Sequence, residues 1–156
     1  MASYEDLFRL GTVASVHPEL HRVRVRFSDK DDMVSDEIPV LVPGSLKNKA
    51  QCLPDVGELV LCAFLPSGEE AGFVLGSLYS EADKPLSADR DEYLIKIPGG
   101  GCVSVHRANH TITVVDYHGS KMVWADGNIT LKSAANIYLN PDGDVAVPAH
   151  ISAQFD

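Results

Sequence analysis

The residues that could support chemistry are few, and the histidines are the first to consider. His106 and His110 stand four residues apart, a spacing that suits two metal ligands on one face of a helix. The stretch that contains them, CVSVHRANHTITVV, instead predicts a strand, a turn and a second strand. We therefore expect no ligand pair at these positions.

Acidic and glycine-rich stretches also give no site. Asp29, Asp31 and Asp32 lack the D-x-D-x-D-G pattern and distal Glu of a calcium loop, so they predict a solvated hairpin turn. Gly99–Gly101 precedes a strand and no helix, so it does not predict a phosphate-binding loop; it marks a tight start to the C-terminal region. No nucleophile, base and orienting acid can be assembled. We predict a protein that is not an enzyme and needs no metal or cofactor.

Composition and charge limit the kinds of partner and the cellular location that we expect for this protein. The chain has 156 residues, 45% of them apolar, with a net charge of −9. This charge disfavours nucleic acid and anionic lipid as partners, because binding to either needs clustered cations. The start, MASYEDLFRL, has acids where a secretory signal would have bases, which predicts assembly in the cytoplasm. Cys52, Cys62 and Cys102 are odd in number and have no C-x-x-C spacing, which favours reduced thiols.

Residues 1–79 predict an N-terminal domain of short strands. Alternation and turn residues mark five of them: LGTVASV, RVRVRF, EIPVLVP, GELVLCAFLP and AGFVLGSLY. Five short strands that close on one core predict an OB-type five-stranded barrel. The second strand has three arginines on its outer face: Arg22, Arg24 and Arg26. They form either a solvated face or a docking surface for an acidic neighbour or another protomer.

Residues 80–92 are polar and aperiodic, which predicts a linker, and residues 93–156 resume the alternation. The end of the chain repeats every eight residues as GNITLKSA, ANIYLNPD and GDVAVPAH. The frame extends upstream to Gly119, where Lys121 takes the third place and Val123 the fifth. Each octad predicts one strand and one corner, with the corners at Gly119, Gly127 and Gly143.

The apolar third and fifth places of the octads predict a buried face that one chain cannot cover by itself. These residues are Ile129, Leu131, Ile137, Leu139, Val145 and Val147. Four octads give little more than one coil, so a single chain has no second coil to stack on. Three copies wound about one axis would bury the face as an intertwined trimeric β-helix. A flat sheet packed on the barrel is the alternative. Trp124 is expected to pack at the base of this needle.

The chain resembles the central spikes of contractile injection machines, which include phage baseplate assembly protein V and the type VI secretion spike. The resemblance rests on G11-T-V, RVRVRF, the stretch from Leu53 to Gly68, the stretch from Gly72 to Tyr79, and the octads. It implies an all-β homotrimer whose barrels dock to the tail-tube hub and baseplate proteins. The needle would be driven through the target-cell envelope when the sheath contracts.

Two family features are missing or altered here. Some relatives have a lysozyme domain between barrel and needle, where this chain has only a linker. Some spikes end in an H-x-H metal site, whereas this chain has the single His150, whose alternation places it on the solvent side. A ring of three such histidines on the axis is the alternative. The apolar last strand, which ends at Phe155, would suit a separate PAAR-type tip cap.

A binding module is the main alternative to a spike. OB barrels also recognise oligonucleotides or oligosaccharides, and those that bind single strands combine a basic groove with stacking aromatics. The aromatics of this barrel are Phe27, Phe64, Phe73 and Tyr79, and most fall within apolar strand patterns.

Overall fold

A computed structural model describes residues 7–65 and 71–137 of the chain. The chain divides into two compact units, which part between Pro85 and Leu86. In the described ranges both units are built of strands and turns, and the first also has two short 3-10 helices, Pro18–Leu20 and Ser28–Lys30. None of the described residues belongs to a helix long and apolar enough to cross a membrane.

The first unit contains a sheet that closes on itself. Its strands are β1 (Phe8–His17), β2 (Arg22–Phe27), β3 (Met33–Val34), β4 (Ile38–Pro39), β5 (Leu59–Phe64) and β6 (Gly72–Ser77). The order is β3-β2-β1-β5-β6, and β4 also pairs with β2. Just after β4, Val40 forms a parallel bridge with Val74 of β6, and the Leu41 N–H donates to the Val74 carbonyl at 2.9 Å. This bridge joins the two ends of the sheet into the small OB-like barrel that the sequence predicted.

The barrel core follows from the alternation of its strands. In β2, Val23, Val25 and Phe27 are at most 1% exposed while the intervening arginines face outward. The buried cluster consists of Val13, Val23, Val25, Phe27, Ile38, Val60, Cys62 and Val74. Each such side chain contributes about 1.5–3 kcal/mol on leaving water. The Phe27 and Phe64 rings meet edge to face, 5.6 Å apart, and pack one end of this core.

Strand β1 runs very close to β2 at Gly11. A Cβ at this position would collide with Val25 Cγ1 and would lie 2.8 Å from the Arg26 carbonyl oxygen. Glycine is therefore required here by space, although its backbone is that of an ordinary strand.

The connection between β2 and β4 differs from the sequence prediction. Only Ile38–Pro39 of EIPVLVP forms a strand, because a proline cannot donate to a ladder. The short β3 was not predicted, since two residues are too few to show alternation. Buried Ser35 organises the crossing: its hydroxyl accepts from the Val25 N–H at 3.0 Å and donates to the Asp36 carbonyl at 2.7 Å.

The second unit is an antiparallel meander. Its strands are β7 (Glu92–Ile97), β8 (Gly101–His106), β9 (Thr111–Val115), β10 (Lys121–Ala125) and β11 (Asn128–Lys132), in that order across the sheet. The glycine run predicted to start the C-terminal region is instead the β7–β8 turn, where Gly99 and Gly100 have φ values of 93° and 110°. Asp126 and Gly127 also have positive φ and form a two-residue turn of the kind that favours hairpins.

The register of the hairpins differs from the octad frame that was extended upstream to Gly119. Gly119 and Gly127 do lie in turns, but these turns reverse the chain between antiparallel neighbours. Since Trp124 pairs with Ile129 and Met122 pairs with Leu131, these residues share a face, and Val123 lies on the opposite one. The extension of the octad frame to Gly119 was therefore one residue out of phase. Gly143 lies outside the described residues, and the intertwined β-helix stays a prediction.

Candidate functional site

One face of the second sheet consists entirely of apolar side chains. Residues directly opposite each other on antiparallel strands point to the same side, so the register defines two rows that cross all five strands. The first row is Tyr93, Val105, Ile112, Trp124 and Ile129, and the second is Ile95, Val103, Val114, Met122 and Leu131. We call these ten residues the apolar face.

The described residues of the second unit leave the apolar face uncovered. Tyr93 is 67% exposed, Ile129 63% and Leu131 45%, whereas the barrel core residues are almost fully buried. Contiguous exposed apolar surface of this extent is unusual for a soluble monomer and marks an interaction surface. The opposite face is mostly polar and carries Ser104, Thr113 and Thr130. The two faces therefore differ as the buried and solvated faces of an antiparallel sheet do.

The predicted needle-core residues fall partly on this surface. Ile129 and Leu131 belong to the apolar face, and Ile137 is 51% exposed just beyond β11. Ile137 lines a groove of about 380 Å³ together with Val114, Met122 and Leu131. The structure thus brings these three predicted residues to one surface. Leu139, Val145 and Val147 lie outside the described residues.

Sequence reasoning missed the larger part of the apolar face. The octads directed attention to residues after Gly119, yet β7 to β10 supply eight of its ten residues. Their signal was present as alternation in YLIKI, CVSV, TITVV and KMVW. What could not be read from it was the pairing that joins these short pieces into two continuous rows.

The arginine stripe of β2 is exposed and partly neutralised by Glu37. The Arg22 guanidinium donates to the Glu37 carbonyl at 3.1 Å, and Arg24 Nε lies 4.0 Å from the Glu37 carboxylate. His17 Nε2 approaches the same carboxylate at 3.3 Å. Arg26 forms no ion pair with a residue in the described ranges and faces outward between Thr12 and Val34. The stripe therefore keeps exposed positive charge that a partner could contact.

The structure places His106 and His110 on different elements. His106 ends β8 and His110 lies in the following turn. His106 Nε2 contacts the Asp89 carboxylate at 3.1 Å, and its Nδ1 accepts the Asn109 N–H at 3.2 Å, so both ring nitrogens are engaged. Within residues 7–65 and 71–137, no three His, Cys, Asp or Glu side chains converge as a metal site would require. His150 lies outside these ranges.

Asp89 and Asp116 hold the segments that lead into the sheet strands. The Asp91 N–H donates to Asp89 at 2.8 Å and His106 adds a second contact, and together they lower the pKa of the Asp89 carboxyl. For Asp116, partial desolvation raises the pKa, but hydrogen bonds from the Ser120 and His118 amides, each 2.8 Å long, outweigh it and leave the pKa lowered. Both carboxylates act as structural acceptors.

The aromatics of the barrel bear on the binding-module alternative. Phe27 is 1% exposed and packs against Phe64, so it cannot stack on a base or a sugar. Phe73 is half-buried on β6, while Tyr79 is 66% exposed. Among the described residues these do not form the row of exposed rings that single-strand binding uses.

The first unit is a small closed barrel of the OB type, and the second is a sheet with one apolar face. Residues 9–79 match the family described as the type VI secretion system/phage-baseplate injector OB domain. This match confirms the resemblance of the first unit to the baseplate spikes and supports a spike-related structural role. No curated protein matches the chain.

Proposed function

We propose that the protein is a homotrimeric, membrane-piercing spike at the baseplate hub of a contractile tail or injection system. The apolar face is the observation that carries the proposal. Ten apolar side chains in two rows, several of them about half exposed, need a cover that the described residues of the second unit do not supply. Three copies that turn this face toward a common axis would remove it from water.

The barrel would attach this spike to the injection machine. Its family membership supports contact with baseplate and tail-tube hub proteins, and Arg22, Arg24 and Arg26 offer a basic surface for that contact or for a neighbouring protomer. Sheath contraction would then drive the needle into the target envelope. A PAAR-type cap at the C-terminal end and assembly in the cytoplasm complete the proposal.

The mass of the protein in solution tests the proposal. Sedimentation equilibrium should return three times the chain mass of 16.9 kDa. A chain that lacks residues 119–156 loses β10 and β11, and with them four of the ten residues of the apolar face, so it should trimerise weakly or not at all. A folded, monodisperse monomer of the full chain in dilute buffer would refute the proposal.

A further inference from the structure

The first unit has a groove beside the turn that leads into β5. The groove has a volume of about 640 Å³, and three of its lining residues are the acids Asp55, Glu58 and Asp83. Val56 and Tyr79 also line it, and each of them is 66% exposed. None of the three acids forms an ion pair with a residue that the structure describes. We call the surface formed by these five residues the acidic groove.

The acidic groove carries the charge opposite to that of the arginine stripe. Arg22, Arg24 and Arg26 are all exposed, and Glu37 neutralises only part of their charge. A guanidinium group binds carboxylates through paired hydrogen bonds and also stacks on aromatic rings. Three carboxylates beside the exposed ring of Tyr79 are therefore a suitable binding surface for arginine side chains.

The charge and the symmetry of a trimer favour a second copy of this chain as the partner. Residues Met1–Pro85 include fourteen acidic and eight basic residues, a net charge of −6, so gathered barrels repel one another unless their charged surfaces are matched. In a threefold ring each copy contacts its neighbours through two different surfaces, because a surface meets itself only across a twofold axis. The arginine stripe and the acidic groove are two such surfaces, with opposite charge, on one unit.

The positions of the two surfaces fit a closed ring. Arg26 lines a smaller cavity of about 340 Å³ together with Val56 and Gly57, and the same two turn residues line the acidic groove. The stripe and the groove therefore approach each other at the Val56–Gly57 turn. In a ring of three, both neighbours of a copy lie on the same side of it, whereas contact surfaces on opposite sides would extend into a fibre.

We propose that the arginine stripe of one barrel binds in the acidic groove of the next, so that three barrels form a head-to-tail ring. This inference rests on the proposed spike function, which supplies the trimer, and it assigns the stripe to a neighbouring copy instead of the hub. Arg24 and Arg26 pair with carboxylates of the groove, and Tyr79 stacks on a guanidinium group. The contact stabilises the trimer in addition to the apolar face of the second unit.

Charge reversal in the full-length protein tests this inference, with the dissociation constant of the trimer measured by sedimentation. Arg24→Glu/Arg26→Glu places acids against acids and should weaken the trimer at least about tenfold. Asp55→Lys/Asp83→Lys should weaken it as well, although this variant lowers the net negative charge and would strengthen a trimer governed by general repulsion alone. Asp55 and Asp83 form their hydrogen bonds through the backbone, so the fold should tolerate both changes. All four substitutions together should restore the wild-type constant, because the two surfaces are again opposite in charge.

The matched control is Lys47→Glu/Lys49→Glu, which makes the same charge change as Arg24→Glu/Arg26→Glu on an exposed stretch outside both surfaces. It should keep the wild-type constant, and high salt should reduce the difference between the wild type and the two weakened variants. Unchanged trimers in both reversal variants, no recovery in the fourfold variant, or equal weakening by the control would overturn the inference. A monomeric wild type would refute the proposed spike function as well, whereas trimers that are insensitive to the reversals would refute only the contact between barrels.

Discussion

The substitution Leu131→Asp tests the apolar face most directly. Leu131 is 45% exposed in the single chain, so assembly can remove about half of its surface from water. Full burial of a leucine contributes about 1.5–3 kcal/mol, which makes the share gained on assembly about 1 kcal/mol per chain. An aspartate adds a desolvation penalty of several kcal/mol per buried charge. Over three chains the total is on the order of 10 kcal/mol, against about 16 kcal/mol for a trimer held by two micromolar association steps, so Leu131→Asp should be monomeric at micromolar concentration.

Trp124 reports on this assembly. It is the only tryptophan of the protein, and it lies directly opposite Ile129 in the first row of the apolar face. We expect its fluorescence to be blue-shifted in the wild-type trimer and red-shifted in Leu131→Asp, with sedimentation showing a monomer.

The matched control is Thr130→Asp, which places the same charge on the same strand but on the opposite face. It should leave both the mass and the emission unchanged. A Leu131→Asp protein that remains trimeric with wild-type emission would show that this face does not mediate assembly.

Three further predictions concern the barrel and the turns. Gly11→Ala should destabilise the barrel by about 1–3 kcal/mol in urea unfolding because its Cβ collides with Val25, whereas Gly76→Ala meets no atom within 4 Å and should be neutral; equal stabilities would contradict the close approach. The pKa of the Asp89 carboxyl is lowered in the fold, so the ionised carboxylate stabilises the protein above the ordinary pKa of 3.8, and this stabilisation is lost as the pH falls below that value. Asp89→Asn should therefore flatten the acid part of the curve of unfolding free energy against pH. An unchanged curve would refute the stabilising role of Asp89. Burial raises the pKa of Cys62 to about 11, so iodoacetamide at pH 8 should label exposed Cys52 and leave Cys62 unmodified until the protein unfolds.

How far the sequence predicts this fold depends on whether a feature is local. The alternation in RVRVRF is enough to place Val23, Val25 and Phe27 in a core, since strand periodicity alone decides which face each residue occupies. The strand–turn–strand interpretation of CVSVHRANHTITVV is likewise confirmed by β8 and β9.

The pairing between strands is harder to predict from the sequence than the alternation within one strand. The two-residue turn at Asp126–Gly127 sets Trp124 opposite Ile129, and an octad count carried across that turn assigns the wrong face to Val123. In the same way, the opposition of Lys121 and Lys132 arises from the register of two strands. This opposition cannot be predicted from either residue alone.

The apolar face also has a consequence for biosynthesis. Tyr93, Ile112 and Ile129 are exposed on the second unit until a partner covers them, and such surfaces bind one another with little selectivity. Apart from the tyrosine hydroxyl and the indole N–H, the ten side chains have no polar group that could reject a wrong neighbour. Shape and the local abundance of freshly made copies would therefore decide between a soluble particle and an aggregate.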